Sequence, residues 1–565
     1  MKQLIECVPN ISEGRDMSII NQVTAEIEKV EGVKLLDVDP GQTTNRTVIT
    51  FVGEPEQACE AAFRVVKKAA ELIDMRQHHG AHPRQGATDV CPLIPVSNIT
   101  MEETVQYAHR LAERIGEELQ IPIYCYENAA KVPERRNLAY CRTGEYESLS
   151  ARLGSEQWKP DYGPNEWNDH VAQTGATQVG ARDFLVAINY NLNTTSTRRA
   201  NAIAFDVREK GRPMREGGKP SGKSMKDENG KTIMIPGTLK GTKAIGWYIE
   251  DYGIAQVSMN ITSIKVAPVH LCFDEVCRCA SNRGVRVTGC EIVGLIPKSV
   301  LIDAGKYYLA KQKRSLGISE EEIMKIAVKS MGLDDLKPFN PKEKVIEYLI
   351  EDNSQKKLID LTCAGFCEET ASESPAPGGG SVSAYMGALA ASLGTMVANL
   401  TGGKAAYDDE WEKYSDVAVH GQELKNDLLH LVDEDTNAFN KIMNAFGMPK
   451  KTDEEKAVRS AAIQDATKFA TEVPFQTMQK SMEAFAVCRA MVEWGNPASV
   501  TDGGVGALAA RSAVMGAHLN VKINASSLKD ELFKKEILDK AAAIEAAAIK
   551  EETEILAIVN QKIGL

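Results

Sequence analysis

No stretch of this chain approaches the roughly 20 consecutive apolar residues that cross a bilayer, so no membrane partner is expected. The opening Met1-Lys-Gln-Leu-Ile-Glu-Cys-Val-Pro-Asn10 lacks the apolar core of a signal peptide and reads as a first strand. Positive charge is not in excess. A net charge of −12 argues against a nucleic-acid partner, which needs a concentrated basic face. Paired metal-binding spacings are missing too, since Cys277/Cys279 and Cys363/Cys367 do not form the ligand sets of a zinc site. Twelve scattered cysteines without a leader point to a reducing cytoplasm and mostly buried thiols.

What is present is ordinary for soluble protein, 43% hydrophobic and 25% charged, but 565 residues exceed one core and predict two to four domains. Residues 1–181 alternate strand and helix. Leu4–Val8, Val33–Val38, Arg46–Val52, Val90–Val96 and Ile121–Tyr126 read as strands, with helices over Met17–Val30, Glu54–Ile73 and Glu102–Leu119. Strands that pair through short turns between two helices suggest a split βαββαβ sandwich. Residues 182–339 form a second mixed unit, with a hairpin of Ile245–Ile249 and Ile254–Asn260. A short polar linker spans 340–357. From 358 to 565 Ala, Leu, Glu and Lys recur at helical spacing, and the last 35 residues read as one long amphipathic helix. The expected fold is thus two ferredoxin-like sandwiches followed by an all-helical bundle.

Gly217-Gly-Lys-Pro-Ser-Gly-Lys-Ser224 spells the phosphate-cradling G-x-x-x-x-G-K-[ST] pattern. That pattern needs a buried strand before it and a helix after it. Arg208–Glu216 and Met225–Gly230 supply neither, so a solvated basic loop is the better reading.

A loop rich in histidine runs from Asp74 to Arg84 and places His78, His79 and His82 between a helix and a strand. Histidine shuttles protons near neutral pH, and scaffolded loops concentrate catalytic groups. His78 and His82 stand at i,i+4, but Gly80 and Pro83 disfavour the helix that metal binding would require. A structural loop remains the alternative. The nearby Asp39-Pro-Gly-Gln-Thr-Thr-Asn45 offers a carboxylate that would orient an imidazole for acid–base work.

In the helical region, Ser374-Pro-Ala-Pro-Gly-Gly-Gly-Ser381 leads into a small-residue helix whose exposed N–H groups favour an anion. A tight helix start without ligand is the alternative. Further on, an apolar stripe runs Leu424, Leu428, Leu431, Ala438, Ile442 and Phe446, with Asp435 in the missing position. At 100° per residue Asp433 points roughly opposite and Glu434 sideways. An inward carboxylate is either salt-bridged or raised in pKa.

Glu6–Gly14, Leu36–Asp39, Thr44–Thr47, His82-Pro-Arg84 with Asp89–Pro92, Gly175–Arg182 and Ala244–Tyr248 resemble glutamate formiminotransferase. The helical region resembles formiminotetrahydrofolate cyclodeaminase, and the whole chain the fusion of the two. The resemblance implies that His82 is the acid–base residue of formimino transfer with Asp39 as partner, and that Asp435, second aspartate of V-D-x-D, is that of cyclodeamination. It places folate contacts around Gly163 and Pro164, where this chain is longer over 165–174. Gly175, Gly180 and Asn45 belong to matching motifs. Arg84 and Asn10 are reasonable hands for substrate carboxylates. Gly378, Gly379, Gly380 and Ser381, with Asp502 and Asn520, are candidate pterin or glutamate-tail contacts, core hydrogen bonding being the alternative for the last two. The substrates implied are N-formimino-L-glutamate and tetrahydrofolate, polyglutamylated, with no metal or nucleotide, in a cytoplasmic homo-oligomer built through both domain types. A methenyltetrahydrofolate cyclohydrolase, a non-catalytic folate-binding protein and an ATP-dependent transferase are the competing readings.

Overall fold

The computed structural model describes residues 3–42, 44–80, 83–219, 221–350 and 357–564. The chain divides into two compact units, residues 1–301 with 331–351, and residues 302–330 with 352–565.

The first unit opens with β1 (Leu4–Cys7), β2 (Asn10–Ile11), α1 (Met17–Glu28), β3 (Val33–Gly41), β4 (Arg46–Gly53), α2 (Pro55–Leu72), β5 (Thr88–Ser97), α3 (Met101–Glu118), β6 (Ile123–Glu127) and β7 (Thr177–Ala181). β1 and β2 act as one interrupted strand between β4 and β5, and the sheet runs β3-β4-β1/β2-β5-β7-β6. The β3, β4, β1/β2 and β5 pairings are antiparallel, whereas β5–β7 and β6–β7 are parallel. The helices start where capping chemistry dictates: Asp16 accepts from Ser18 N at 2.8 Å, and Thr100 with Glu103 forms a reciprocal capping box. Period-2 alternation then sorts the strand residues. Ile5, Cys7, Ile49, Phe51, Cys91 and Leu93 are buried in one core with Ile20, Val23, Ala62, Val66, Leu111 and Ile115 of the helices. Glu6, Val8, Asn10, Arg46, Val48, Thr50, Val90 and Pro92 therefore face the other way, into a cavity.

A second sheet follows from β8 (Val186–Leu192), α4 (Thr197–Val207), β9 (Thr242–Ile249), β10 (Ile254–Ile261), α5 (Val269–Ser281) and β11 (Val287–Val293), antiparallel in the order β9-β10-β8-β11. At Gly246 an added Cβ would stand 2.2 Å from Asn201 N, so only glycine lets α4 lie this close to β9. Residues 210–219 and 221–240 belong to a largely exposed ribbon in which Arg212–Pro213 pairs with Met234–Ile235 and Arg215 with Ser224. No helix follows Gly222-Lys-Ser224, so the strand–loop–helix geometry of a phosphate cradle is not formed there.

The second unit is helical: α6 (Gly379–Gly402), α7 (Trp411–Gly447), α8 (Asp453–Trp494), α9 (Val500–Ala525) and α10 (Glu531–Ile563). Glycine sets the spacing of α6. Cβ atoms at Gly387 and Gly394 would reach Ser481 Oγ at 2.5 Å and Val487 Cγ1 at 2.7 Å on α8. This helix corrects the expectation that no segment could span a bilayer. Its mean hydropathy of 1.3 over 18 residues suffices by length and composition, but 61% of that window is buried within the protein. Alanine raises hydropathy without forming the aliphatic run by which a membrane segment is read.

Two boundaries differ from the sequence reading. Residues 302–330 group with the helical unit, where Leu316 N donates to Ser415 Oγ at 3.0 Å. Residues 341–350, read as linker, form two short helices in the first unit with Val345 and Ile346 buried. Residues 351–356 of that expected linker lie outside the described residues.

Candidate functional site

The helix-free face of the first sheet borders a cavity of about 430 Å³, closed on its far side by Phe184, Ala187, Asn260 and Val293. An adjoining cavity of about 660 Å³ shares Leu138, Arg142, Leu185 and Asn260 with it and adds Pro83, Arg84, Glu145, Glu147 and Lys243. Beneath the floor lies Asp89, fully buried and gripped by Arg46 and Arg142. Burial alone would raise its carboxyl, but the two guanidinium groups outweigh that and hold it below the usual range. Arg46 Nε also donates to Asn10 Oδ1 at 3.1 Å, and Gln85 N donates to Asp89 Oδ1 at 3.0 Å. One buried carboxylate thus ties β4, β5 and the segment around Arg142 together beneath the cavity.

The histidine loop is anchored through His78. Arg84 Nε can only donate, so His78 Nδ1 accepts from it at 3.2 Å and Nε2 donates to Asn45 O at 2.8 Å. Burial keeps this imidazole below its ordinary pKa. His78 is therefore a neutral scaffold residue. Asn45, at φ +48°, completes the anchor by accepting from Gly14 N at 3.0 Å and donating to His79 O at 3.0 Å.

His82 lies outside the described residues; Asp39, its expected partner, lines the cavity as an exposed carboxylate on β3. Asn10 also lines the cavity, with its amide donating to Val8 O at 2.9 Å. Arg84 does not offer a free guanidinium, a correction to the role expected of it. Nη2 and Nη1 bind Glu147 at 2.6 and 2.9 Å, and Nη1 also reaches Glu145 at 3.3 Å. Gly163 and Pro164 line neither cavity; at φ +80° Gly163 packs where a Cβ would meet Ile121 O at 2.2 Å. Gly175 supports the loop exit, since its Cβ would strike Gln85 O at 2.2 Å. Gly180 makes room for the ring of Tyr126, a cavity-lining residue whose nearest ring carbon would stand 2.6 Å from an added Cβ.

Sequence reasoning missed Glu6, Arg142 and Arg182. Glu6 had a signal: a charge among apolar neighbours in a strand whose alternation points it away from the core. Arg142 had none, because its partner is Asp89, 53 positions away.

In the helical unit, Gly378–Ser381, Asp435 and Asn520 converge. Ser381 donates to Asp435 Oδ2 from its backbone N at 2.9 Å, and its hydroxyl is shared between Val432 O at 2.8 Å and Asp435 Oδ2 at 3.2 Å. A Cβ on Gly380 would stand 2.1 Å from Asp435 Oδ1, and one on Gly379 would stand 3.3 Å from Asn520 Nδ2. The glycines thus admit the carboxylate onto the start of α6. Burial raises the Asp435 pKa and outweighs the lowering by the Ser381 hydrogen bonds. Asp433 turns to the other side of α7, where it accepts from Leu358 N at 2.6 Å. Leu424, Leu428, Leu431 and Ala438 are buried as the stripe requires, but Phe446 is exposed. Asp502 does not join the cluster: it lies on the first turn of α9, eighteen positions before Asn520, or about 27 Å at 1.5 Å per residue.

Comparison with known proteins follows this division. Residues 4–182 match the formiminotransferase domain, N-terminal subdomain; residues 187–351 the formiminotransferase domain; and residues 362–543 formiminotransferase-cyclodeaminase. The formimidoyltransferase-cyclodeaminase of Gallus gallus is 39% identical over 563 residues, covering 100% of both chains. The glutamate formimidoyltransferase of Streptococcus pyogenes serotype M1 is 41% identical over 55% of this chain and 94% of its own length. The methenyltetrahydrofolate cyclohydrolase of Methylorubrum extorquens is 38% identical over 34% of this chain and 92% of its own length. Likeness at this level over its whole length makes the chain a member of the formimidoyltransferase-cyclodeaminase family.

Proposed function

We propose that the chain is a bifunctional folate enzyme with one reaction in each unit. The first transfers the formimino group of N-formimino-L-glutamate to N5 of tetrahydrofolate. The second closes 5-formiminotetrahydrofolate to 5,10-methenyltetrahydrofolate and releases ammonia. The observation that carries this reading is a full-length relative bearing both activities in its name, joined to two separate polar sites in one chain.

In the transfer, N5 attacks the formimino carbon to give a tetrahedral intermediate. His82 accepts the N5 proton and returns one to the departing glutamate nitrogen, with Asp39 supporting its cationic form. In the closure, N10 attacks the same carbon, the ring forms, and the C–N bond to the departing ammonia breaks. Asp435 relays protons from N10 to that nitrogen, a task suited to a carboxyl whose pKa burial has raised. Tetrahydrofolate, in polyglutamylated form, is the co-substrate; neither metal nor nucleotide enters either step.

Both sheets of the first unit fit a ferredoxin-like βαββαβ origin, because β3-β4-β1/β2-β5 and β9-β10-β8-β11 repeat one strand order. On that basis 1–181 and 182–301 with 331–351 carry the two transferase subdomains, and 302–330 with 352–565 is the cyclodeaminase unit. A homo-oligomer in the cytoplasm is the setting proposed. Leu389, Met396 and Leu400 on α6 and Leu519 and Ile523 on α9 are exposed apolar residues on packed helices, a surface suited to a second copy. Ile245 and Trp247 on edge strand β9 offer another.

A second reading rests on the cyclohydrolase relative of the helical region. The test supplies formiminoglutamate and tetrahydrofolate to the full chain and measures glutamate, ammonia and methenyltetrahydrofolate together. Equimolar glutamate and ammonia are expected. Glutamate without ammonia, with hydrolysis of added methenyltetrahydrofolate, would support the second reading instead.

A further inference from the structure

The cavity of the first unit holds a carboxylate that the chemistry above leaves unused. Glu6 stands on β1, the central strand position, and is only 4% exposed while lining the cavity. Among the described residues no N–H or O–H donates to it and no cation lies within ion-pair distance. The other carboxylates differ. Asp89 is satisfied by Arg46 and Arg142, and Asp37 and Asp39 sit on edge strand β3. Burial pushes the Glu6 carboxyl up to about 7, with Arg182 pulling against it. A buried carboxylate without a partner is costly unless a ligand supplies one.

Arg182 lines the same cavity. Its Nη1 donates to Asp183 O at 2.9 Å, and among the described residues no carboxylate pairs with it. One cavity thus presents a carboxyl group without an ion-pair partner and a guanidinium without a carboxylate partner. An N-formimino amino acid carries the matching pair: its formamidine is a cation at neutral pH, and its α-carboxylate lies two bonds from the amidine nitrogen.

We propose that Glu6 receives the formimino amidinium of the transferase substrate through paired N–H···O bonds, while Arg182 takes the neighbouring α-carboxylate. This rests on the transferase reading above and names the groups that set its substrate class. Amidinium and carboxylate match as planar, bidentate partners, as guanidinium and carboxylate do. In-plane contact leaves both faces of the formimino carbon open to attack by N5. A formyl group has an acceptor oxygen where the amidine has N–H, so Glu6 repels it, and a site built to hydrogen-bond a donor rejects the analogue lacking one.

The test uses the full chain and two ligands, formiminoglutamate as substrate and the neutral isostere N-formyl-L-glutamate as competitive inhibitor. Glu6→Gln is expected to raise the KM for formiminoglutamate roughly 10- to 100-fold, the loss of a charge-assisted pair, and to leave or tighten the Ki of formylglutamate. Arg182→Ala should weaken both ligands alike, because both carry the α-carboxylate. Equal loss for both ligands in Glu6→Gln, or no loss in either, overturns the proposal. Absence of formimino transfer by the wild type would instead sink the transferase reading. Retention of the wild-type urea unfolding transition of the first unit by Glu6→Gln reports on its folding. Should that variant not fold, Glu6→Asp decides: preference for the amidine retained supports the proposal, and its disappearance refutes it.

Discussion

Replacing Gly380 with alanine tests the second site by steric means alone. Its backbone is not in the left-handed region, so the substitution adds a methyl group without backbone strain. That methyl would stand 2.1 Å from Asp435 Oδ1, 2.4 Å from Cγ and 2.6 Å from Oδ2. Restoring an ordinary separation of about 3.5 Å requires the carboxylate to move by more than about 1 Å. A shift of that size breaks the 2.9 Å bond from Ser381 N to Oδ2. Misplacement by about 1 Å costs a catalytic group roughly 10²-fold in rate, and overpacking costs about 1–3 kcal/mol of stability. Gly380→Ala should therefore release ammonia from 5-formiminotetrahydrofolate about 100-fold more slowly while formimino transfer is untouched. Neighbouring positions calibrate the effect. A Cβ at Gly378 would meet only Pro375 O at 3.8 Å, so Gly378→Ala should behave as wild type. One at Gly379 would meet the movable Asn520 amide at 3.3 Å, so Gly379→Ala should lose less than about 10-fold. Wild-type ammonia release by Gly380→Ala, measured by coupled ammonia assay at saturating substrate, would refute the placement of Asp435 at the start of α6.

Other consequences follow from single groups. Asp89→Asn leaves the buried Arg46 and the half-buried Arg142 without their counter-charge and should destabilise the first unit by about 3–5 kcal/mol, read from urea unfolding. Because the folded-state pKa of Asp89 lies below its unfolded value, its contribution is present above about pH 4 and lost as pH falls through the folded pKa. Ser381→Ala removes the hydroxyl bond that lowers the Asp435 pKa, so the limb of the kcat–pH profile belonging to Asp435 should move to higher pH. Since Gly217–Ser224 lies in an exposed ribbon, isothermal calorimetry with ATP should give no saturable heat, and Lys223→Ala should leave both activities unchanged.

The sequence was legible wherever one residue's neighbours decide its place. Alternation in Arg46–Val52 and helical spacing in Glu54–Ile73 gave elements within a residue or two of those observed, because a single core face selects the pattern. Asp435 was legible for the same reason: a charge in an apolar stripe must point inward. Thr177–Ala181 was not, since five residues with glycine and glutamine carry no strand signal and are ordered by parallel pairing on both sides. Phe446 followed the stripe yet ends exposed near the close of α7, where helical period no longer reports packing. Arg84 looked available only because its partners Glu145 and Glu147 lie some sixty positions away. Long-range ion pairs decide which cations a site can spend on substrate, and sequence spacing does not record them.

The claim that one chain holds two separable reactions is tested most directly with Asp435→Asn in the full-length protein. Formiminoglutamate and tetrahydrofolate are supplied together, with glutamate, ammonia and 5-formiminotetrahydrofolate followed in the same reaction. Glutamate should appear at the wild-type rate while 5-formiminotetrahydrofolate accumulates without ammonia. Ammonia at the wild-type rate, or joint loss of both products from a folded variant, would contradict the account.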